Sequence, residues 1–466
     1  MSSPWTADYS RVYLLPRAVD EWVGPDDPVR FIRSFVERYS ESQWKLPKGS
    51  GGPGRPAYDG EVLLKIWIYA YLRGMHSSRA VERGCREWVP LMWLAGELKP
   101  DHNTLWRFWA ANQGTIGQLF ELTVEMAREL GLIALELHAL DGTKIQACGS
   151  THAVCSKEDL KRRRERVREQ RREIERRIEQ QHEAEKDLPE TEGLSEELQD
   201  RKKLEEWIDR AIANADEKRR ENPSEKDAVL LKKCGLGYNA QTAVDDKATL
   251  IVEQDVVTRK NDQEQLIPML DRVQERFGQT ATETVADGGY NTQSALARAE
   301  EKQYSVIVGT AAREPKNNDE KPYHASRFTH EEERDVVICP QKRELTYERT
   351  VKRKGTAVRV YRGHQCHDCP VRDLCTRDRR GRSIDLWPQH GAAVRQRKKR
   401  EDPAIRRLYK RRLPLAERPF ATIKTTLRFT RFKARGIINA AIEWKFVCGI
   451  YNLTRLMALH PAIALS

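Results

Sequence analysis

Two stretches of this chain share one grammar, an alternating apolar run followed by an aspartate and a glycine. They are Leu140-Asp141-Gly142-Thr143-Lys144 and Val285-Ala286-Asp287-Gly288-Gly289-Tyr290. Before Asp141, Leu135, Leu137 and Ala139 alternate with Glu136 and His138, which is the period of a strand. Residues 133–147 are therefore expected to form a strand with Asp141 at its end. Tyr238 to Val244, Thr249 to Val257, Thr282 to Ala286 and Val306-Ile307-Val308 read as further strands. Gln263 to Phe277 and Gln293 to Lys302 read as helices among them. Strands interleaved with helices specify an α/β core. A carboxylate at a strand end sits on a rigid element beside a loop that ligands can enter.

The charge points to a polyanionic partner. The formal net charge is +12, the pI is about 9.2, and charged residues make up 33% of the 466 residues. Nucleic acid is the first candidate for such a surplus. No run of about 18 apolar residues occurs, so no membrane span is expected. Met1-Ser2-Ser3-Pro4-Trp5 has no basic region leading into an apolar one, so no signal peptide is expected either. Five of the nine cysteines are scattered (Cys85, Cys148, Cys155, Cys234, Cys448) and four cluster. That fits a reducing, cytoplasmic setting with one metal-site candidate, not a disulfide framework.

The flanking segments read differently. Phe31, Ile32, Phe35 and Val36 share one face of a helix after Pro28, and a Gly/Pro-rich linker, residues 48–56, follows. Val62 to Leu72 make an apolar helix ending near Gly74. Ser77-Ser78 offer capping hydroxyls to the next helix, and Asp101-His102-Asn103-Thr104 caps one more. Arg73, Arg79, Arg83, Arg86 and Arg107 are expected to be exposed, as suits a helix-turn-helix-like module on DNA. A plain helical domain with solvated arginines is the alternative. Leu160, Val167 and Ile174, seven apart among Glu and Arg residues, predict a charged helical hairpin over 157–220. Residues 311–400 read as polar, basic and irregular, and residues 403–464 as two or three helices. The expected division is a helical DNA-binding domain at 1–130, a first core part at 131–156, a charged helical insertion at 157–233, the core continued at 234–310, a basic insertion with the cysteines at 311–402, and C-terminal helices at 403–466.

A third carboxylate is expected on a helix near the two aspartates. Glu417 is the choice; it shares a helical face with Lys424, seven residues on, and Arg428, Arg431 and Arg435 continue roughly along it. Magnesium takes hard oxygen ligands and keeps several waters. Two ions held by three carboxylates can flank a scissile phosphate, one activating the attacking oxygen and the other stabilising the leaving one.

These residues resemble the DDE transposases of bacterial insertion sequences, in the branch with a Tyr–Arg–Glu–Lys C-terminal signature. The resemblance runs through Leu14-Leu15-Pro16, Asp27 to Ile32, Pro100 to Leu105, His138 to Lys144, Gly237 to Gln241, Asn261-Asp262, Ala286 to Tyr290, and Glu417 with Lys424 and Arg431 to Gly436. It implies an RNase H-like core carrying insertions. It also implies that Asp141, Asp287 and Glu417 bind two Mg²⁺ or Mn²⁺ ions, and that Tyr409, Arg412 and Lys424 contact DNA near the cleaved end. Four residues separate Arg412 from Glu417, where the commonest form of the signature has three. The implied reaction cuts transposon ends, frees a 3′-hydroxyl and joins it to double-stranded target DNA, with no covalent protein–DNA intermediate. The resemblance also implies double-stranded DNA as partner, a homo-oligomer on that DNA, and a cytoplasmic setting with nucleoid association when DNA is bound.

Cys339, Cys366, Cys369 and Cys375 include one Cys-x-x-Cys pair and could hold a structural Zn²⁺, with His364 and His367 as alternative ligands. Four reduced thiols are the plain alternative. For the whole chain, two further readings stand beside the transposase: a non-catalytic DNA-binding protein derived from one, and an RNase H-like nuclease that hydrolyses without strand transfer.

Overall fold

Asp27 accepts a hydrogen bond from Val29 N at 3.0 Å, and Pro28 occupies the first helical turn, where its missing N–H costs nothing. That pair starts α1 (Pro28–Arg38), which buries Phe31, Ile32, Phe35 and Val36. The computed structural model describes residues 18–39, 44–46, 57–183, 190–214, 222–232, 234–311, 314–315, 321–353 and 355–459. Leu14 to Pro16, linker 48–56 and the side chain of Leu194 lie outside the described residues. The helices α2 (Gly60–Leu72), α3 (Ser78–Glu87), α4 (Val89–Leu94), α5 (His102–Ala111) and α6 (Gln113–Glu129) follow. Asp101 caps α5 through Thr104 N at 2.8 Å. Ser77 stands before α3 but its hydroxyl makes no capping bond, contrary to the sequence expectation. Arg73, Arg79, Arg83, Arg86 and Arg107 are all exposed.

β1 (Leu137–Gln146) opens a mixed sheet. After it come α7 (Lys157–Glu183) and α8 (Glu190–Asn214), then β2 (Val229–Leu231), β3 (Gly235–Asp245), β4 (Leu250–Val257), α9 (Leu266–Phe277), β5 (Glu283–Ala286), α10 (Gln293–Glu301) and β6 (Val306–Val308). The order is β4–β3–β1–β5–β6, with β2 also on β3. β3 runs antiparallel to β1 and β4, whereas β5 and β6 run parallel to β1. Asp141 lies inside β1, not at its end. The eleven-residue β3 carries the ladder past Gly142, pairing it with Gln241 and reaching Gln146 opposite Gly237, so the glycine does not turn the chain.

α7 and α8 form a hairpin that buries Leu160, Val167, Ile174 and Ile208. Glu205, also buried, receives Arg168 at 2.5 Å and Arg171 at 3.2 Å. Residues 321–389 are not irregular. They form a second, antiparallel sheet of β7 (Thr329–Glu331), β8 (Val336–Ile338), β9 (Glu344–Arg353), β10 (Thr356–Arg362) and β11 (Ser383–Leu386), with the short helix α11 (Arg372–Cys375) before the last strand. Its core is small, built on Phe328, Val337, Leu345, Tyr361, Ile384 and Leu386. Much of β9 is polar on both faces, which hid its alternation.

The chain continues into α12 (His390–Glu401), α13 (Pro403–Lys410), α14 (Arg412–Ala421) and α15 (Ile437–Leu459). α15 is central. Trp444, Phe446, Ile450 and Tyr451 are fully or almost fully buried and share one continuous core with the N-terminal helices and one face of the sheet. The other face is covered by α9 and α10, with Ala392 of α12. Among the described residues, no helix is long and apolar enough to cross a membrane.

Asn452 of α15 plugs the sheet from the side. Its Nδ2 donates to Ile251 O at 2.8 Å and its Oδ1 accepts from Ile251 N at 2.9 Å. These bonds fall where the β3–β4 register shifts, between Ala243 and Val244. An unsatisfied buried backbone group costs about 1–3 kcal/mol. Asn452→Ala should therefore destabilise the protein by about 2–4 kcal/mol in urea unfolding followed by circular dichroism; a change inside 0.5 kcal/mol, on the order of a surface substitution, would refute this role.

Candidate active site

β1 and β5 pair in parallel with Leu140 opposite Ala286, so Asp141, within β1, and Asp287, just past the end of β5, stand side by side. Asp141 Oδ1 accepts from Gly142 N at 2.8 Å, and Asp287 Oδ1 accepts from Gly289 N at 2.7 Å. Arg412, from the first turn of α14, lies 3.2 Å from Asp141 Oδ2. Burial is the main force on Asp141 and pushes its pKa up to about 6. The neighbouring carboxylates of Asp287 and Asp262 push the same way, against the Gly142 N–H and Arg412. The close packing leaves no room for side chains at two glycines. A Cβ at Gly288 would stand 1.9 Å from Thr310 O, and one at Gly142 would stand 2.2 Å from Gln241 Nε2.

A polar network backs the pair. Asp262 Oδ1 accepts from Asn239 Nδ2 at 2.7 Å and from Gln241 Nε2 at 2.6 Å, and lies 3.3 Å from Lys144 Nζ. Gln241 Oε1 accepts from the hydroxyl of fully buried Tyr290. Tyr290 ends the turn that begins at Asp287, so Asp262 is linked through Gln241 and Tyr290 to the loop carrying the second aspartate. The sequence reading quoted Asp262 but gave it no role. Only the fold brings it near Asp141.

The Tyr–Arg–Glu–Lys residues divide. Tyr409 is raised above the ordinary tyrosine range by burial, with Arg412 and Asp287 among its charged neighbours. Lys424 Nζ donates to Thr143 Oγ1 at 2.5 Å, two residues along β1 from Asp141. These three, with the two aspartates, gather along one face of β1. Glu417 does not join them through any hydrogen bond or salt bridge among the described residues. α14 buries Leu415, Ala416, Pro419 and Phe420, which leaves Glu417 on its exposed flank. Pro419 lies inside the helix, which then widens into a π-turn, Thr422–Thr426, that carries Lys424.

The expected cationic stripe beyond Lys424 is not helical. Arg428 takes a left-handed φ of 53°, and the chain leaves the helix to run beside the end of β1, with Arg431 bridged to Gln146. Arg431 donates to the carbonyls of Ala147 at 3.0 Å and Cys148 at 2.6 Å, so its guanidinium is committed to backbone. Arg428 and Arg435 are exposed. A residue the sequence reading missed holds this segment. Glu443, fully buried in α15, accepts from Lys433 N at 2.8 Å and from Tyr71 Oη at 2.8 Å, and burial pushes its pKa up to about 7. Its signal was a lone glutamate in an apolar helical run.

Two hard carboxylates crowded together, one of them pushed out of its ordinary range, fit a divalent cation, and magnesium needs no more than one or two when phosphate oxygens complete its shell. Among the described residues, no group of three or more His, Cys, Asp or Glu is arranged to hold a metal ion. Cys339, Cys366, Cys369 and Cys375 do line one cavity, where Cys339 Sγ accepts from Arg343 N at 3.3 Å and Cys366 Sγ from Arg382 N at 3.4 Å. His364 and His367 are exposed and do not line it. No disulfide joins any of the nine cysteines.

A family model described as "Transposase DDE domain" matches residues 338–457, and one described as "Transposase domain (DUF772)" matches residues 17–111. Over these two segments the chain is similar to DDE transposases. The first match takes in the cysteine cavity, Tyr409, Arg412, Glu417 and Lys424, while Asp141 and Asp287 lie outside both. No curated protein and no solved structure matches the chain. DDE transposases act on DNA with divalent metals, and this chain has, at its aspartate pair, donors suited to them.

The raised Asp141 sets a sign for pH. Its folded-state pKa of about 6 exceeds the unfolded value of about 3.9, so the folded protein binds this proton more tightly. Stability is then favoured below about pH 4 and falls as pH rises to about 6. Without divalent metal, Asp141→Asn should raise stability by about 1–2 kcal/mol near pH 8, less the loss of the Arg412 partner, and give no gain below about pH 4. Equal melting temperatures for the two proteins near pH 8 would contradict the crowding.

Proposed function

We propose that this chain is a DDE transposase that cleaves transposon ends and joins them to target DNA by two-metal phosphoryl transfer on an RNase H-like core. The observation that carries the reading is the placement of Asp141 and Asp287 on adjacent parallel strands, with Arg412 and Tyr409 beside them. A central strand flanked by an antiparallel neighbour and a parallel one supports the core assignment.

Asp141 and Asp287 would hold Mg²⁺ or Mn²⁺, and Glu417, exposed and unengaged on α14 away from them, would complete the set only by moving toward them when ions and DNA bind. Bound ions of this kind activate the attacking oxygen and stabilise the leaving one. Arg412 is presented at Asp141 and can turn from carboxylate to phosphate once the aspartates have another countercharge. Lys424 and Tyr409 flank it and position the DNA end. Arg428 and Arg435, exposed on the segment after α14, are available to the backbone of the same DNA, and Arg431 supports that segment. The exposed arginines of α3 and α5, with Arg73, suit contact with end DNA, and two ends held together require at least two copies of the chain. The four cysteines line one cavity and, drawn together there, would take a structural Zn²⁺ that fixes the second sheet's loops.

An assay with a 3′-hydroxyl donor end and a plasmid target separates the readings. Joined product supports the transposase, cut product alone supports a nuclease, and neither supports a binding protein. Asp141→Asn and Asp287→Asn should each abolish cutting while leaving end binding within about threefold in a gel-shift assay, and a variant that still cuts removes that residue from the chemistry. Metal analysis should find one zinc per chain, lost in Cys366→Ser/Cys369→Ser; zinc-free protein with the wild-type melting temperature would remove the zinc site.

A further inference from the structure

Beside the aspartate pair lies a cavity of about 850 Å³, walled by α12, α13, the turn after β6 and the stretch before β7. Arg327, Arg397, Arg400, Arg406 and Lys410 line it against only two carboxylates, Glu314 and Glu401. Glu314 is already shared, 3.0 Å from Arg397 and 3.8 Å from Arg400. Burial lowers the Arg397 guanidinium below its ordinary range, and the crowding of Arg400 and Arg327 adds to that, outweighing Glu314.

Four of these cations divide into two pairs. Arg397 donates to Ser326 O at 2.8 Å, and Arg400 donates to Val308 O at 3.2 Å and Thr310 Oγ1 at 3.3 Å, so both are fixed parts of the wall. Arg406 and Lys410 are exposed, one helical turn apart on α13, and neither has a carboxylate partner among the described residues. Between them and the aspartates stands Tyr409. It lines the cavity, its hydroxyl lies where a Cβ at Gly309 would be, and its charged neighbours are Asp287 and Arg412. The cavity is therefore the continuation of the catalytic cleft past Tyr409.

We propose that this cavity binds the sugar-phosphate backbone of a single DNA strand, the one that runs on from the phosphate held at Asp141 and Asp287. This rests on the reading of those residues as the catalytic centre. Ligand pockets run to roughly 300–1,000 Å³, a size that admits a short length of one strand but not a duplex. The wall offers guanidinium and ammonium groups, which read phosphate and not base sequence. The cavity thus holds a strand already separated from its complement, whatever its bases.

The test uses the full chain with chelator present, so that nothing is cut. Fluorescein-labelled oligothymidylate and a blunt duplex are titrated by anisotropy across a salt series. Wild type is compared with Arg406→Ala/Lys410→Ala and with a charge-matched control on the second sheet, Arg349→Ala/Lys352→Ala. Each phosphate contact on a single strand contributes about 0.7 to the slope of log K against log salt. The cavity variant should lower the oligothymidylate slope by about 1.4 and weaken binding at least tenfold at low salt, while the duplex and the control change less than about threefold. An unchanged slope, or an equal loss on duplex, overturns this inference alone. Wild-type protein that binds neither DNA overturns the catalytic reading with it.

Discussion

Two like charges held side by side are the constraint around which this molecule is arranged. The parallel register of β1 and β5 sets Asp141 next to Asp287 whatever the rest of the chain does. Keeping them there requires opposing dipoles and charges. The structure supplies the Gly142 and Gly289 N–H groups, the Arg412 guanidinium, and a hydrogen-bonded chain from Asp262 through Gln241 to Tyr290. The glycines follow from the same need, since a side chain at Gly142 or Gly288 would collide with what holds the aspartates in place. A site under this electrostatic load is poised to take up cations and, with them, phosphate.

Much of the core was legible because its signals are local. Strict alternation before Asp141, the largely alternating Tyr238–Val244 and the short apolar run Val306–Val308 mark strands, and Asp27-Pro28 and Asp101 mark helix starts by their own chemistry. The mixed α/β character followed from these. What stayed hidden depends on partners distant in sequence. The place of Asp141 within its strand is decided by the length of β3, which no property of residues 133–147 reveals. The second sheet was read as irregular because Glu344–Arg353 is charged on both faces and its core needs only a few buried side chains. Asp262 and Glu443 were missed because a carboxylate's role is set by what folds around it.

The C-terminal signature shows how far spacing can carry an argument. Tyr409, Arg412 and Lys424 converge on one face of β1, although a proline and a π-turn intervene. Glu417 shares their sequence context but not their burial, since the face of α14 that docks is the apolar one. Helical periodicity cannot extend past Leu427, where a left-handed Arg428 ends the helix and sends the chain back along β1. The cations beyond that point do different work from the one a straight helix would give them, and Arg431 is a structural brace.

The position of α15 has a consequence for how the protein is made. It lies later in the chain than every element it packs on, yet it completes the core under the central sheet and supplies Asn452 to β4 and Glu443 to the segment beside β1. A ribosome releases those elements in order, and none of the earlier ones can bury their shared apolar surface until residues 437–459 have emerged. A chain that stops short of residue 437 therefore lacks the core beneath the central sheet that carries Asp141 and Asp287.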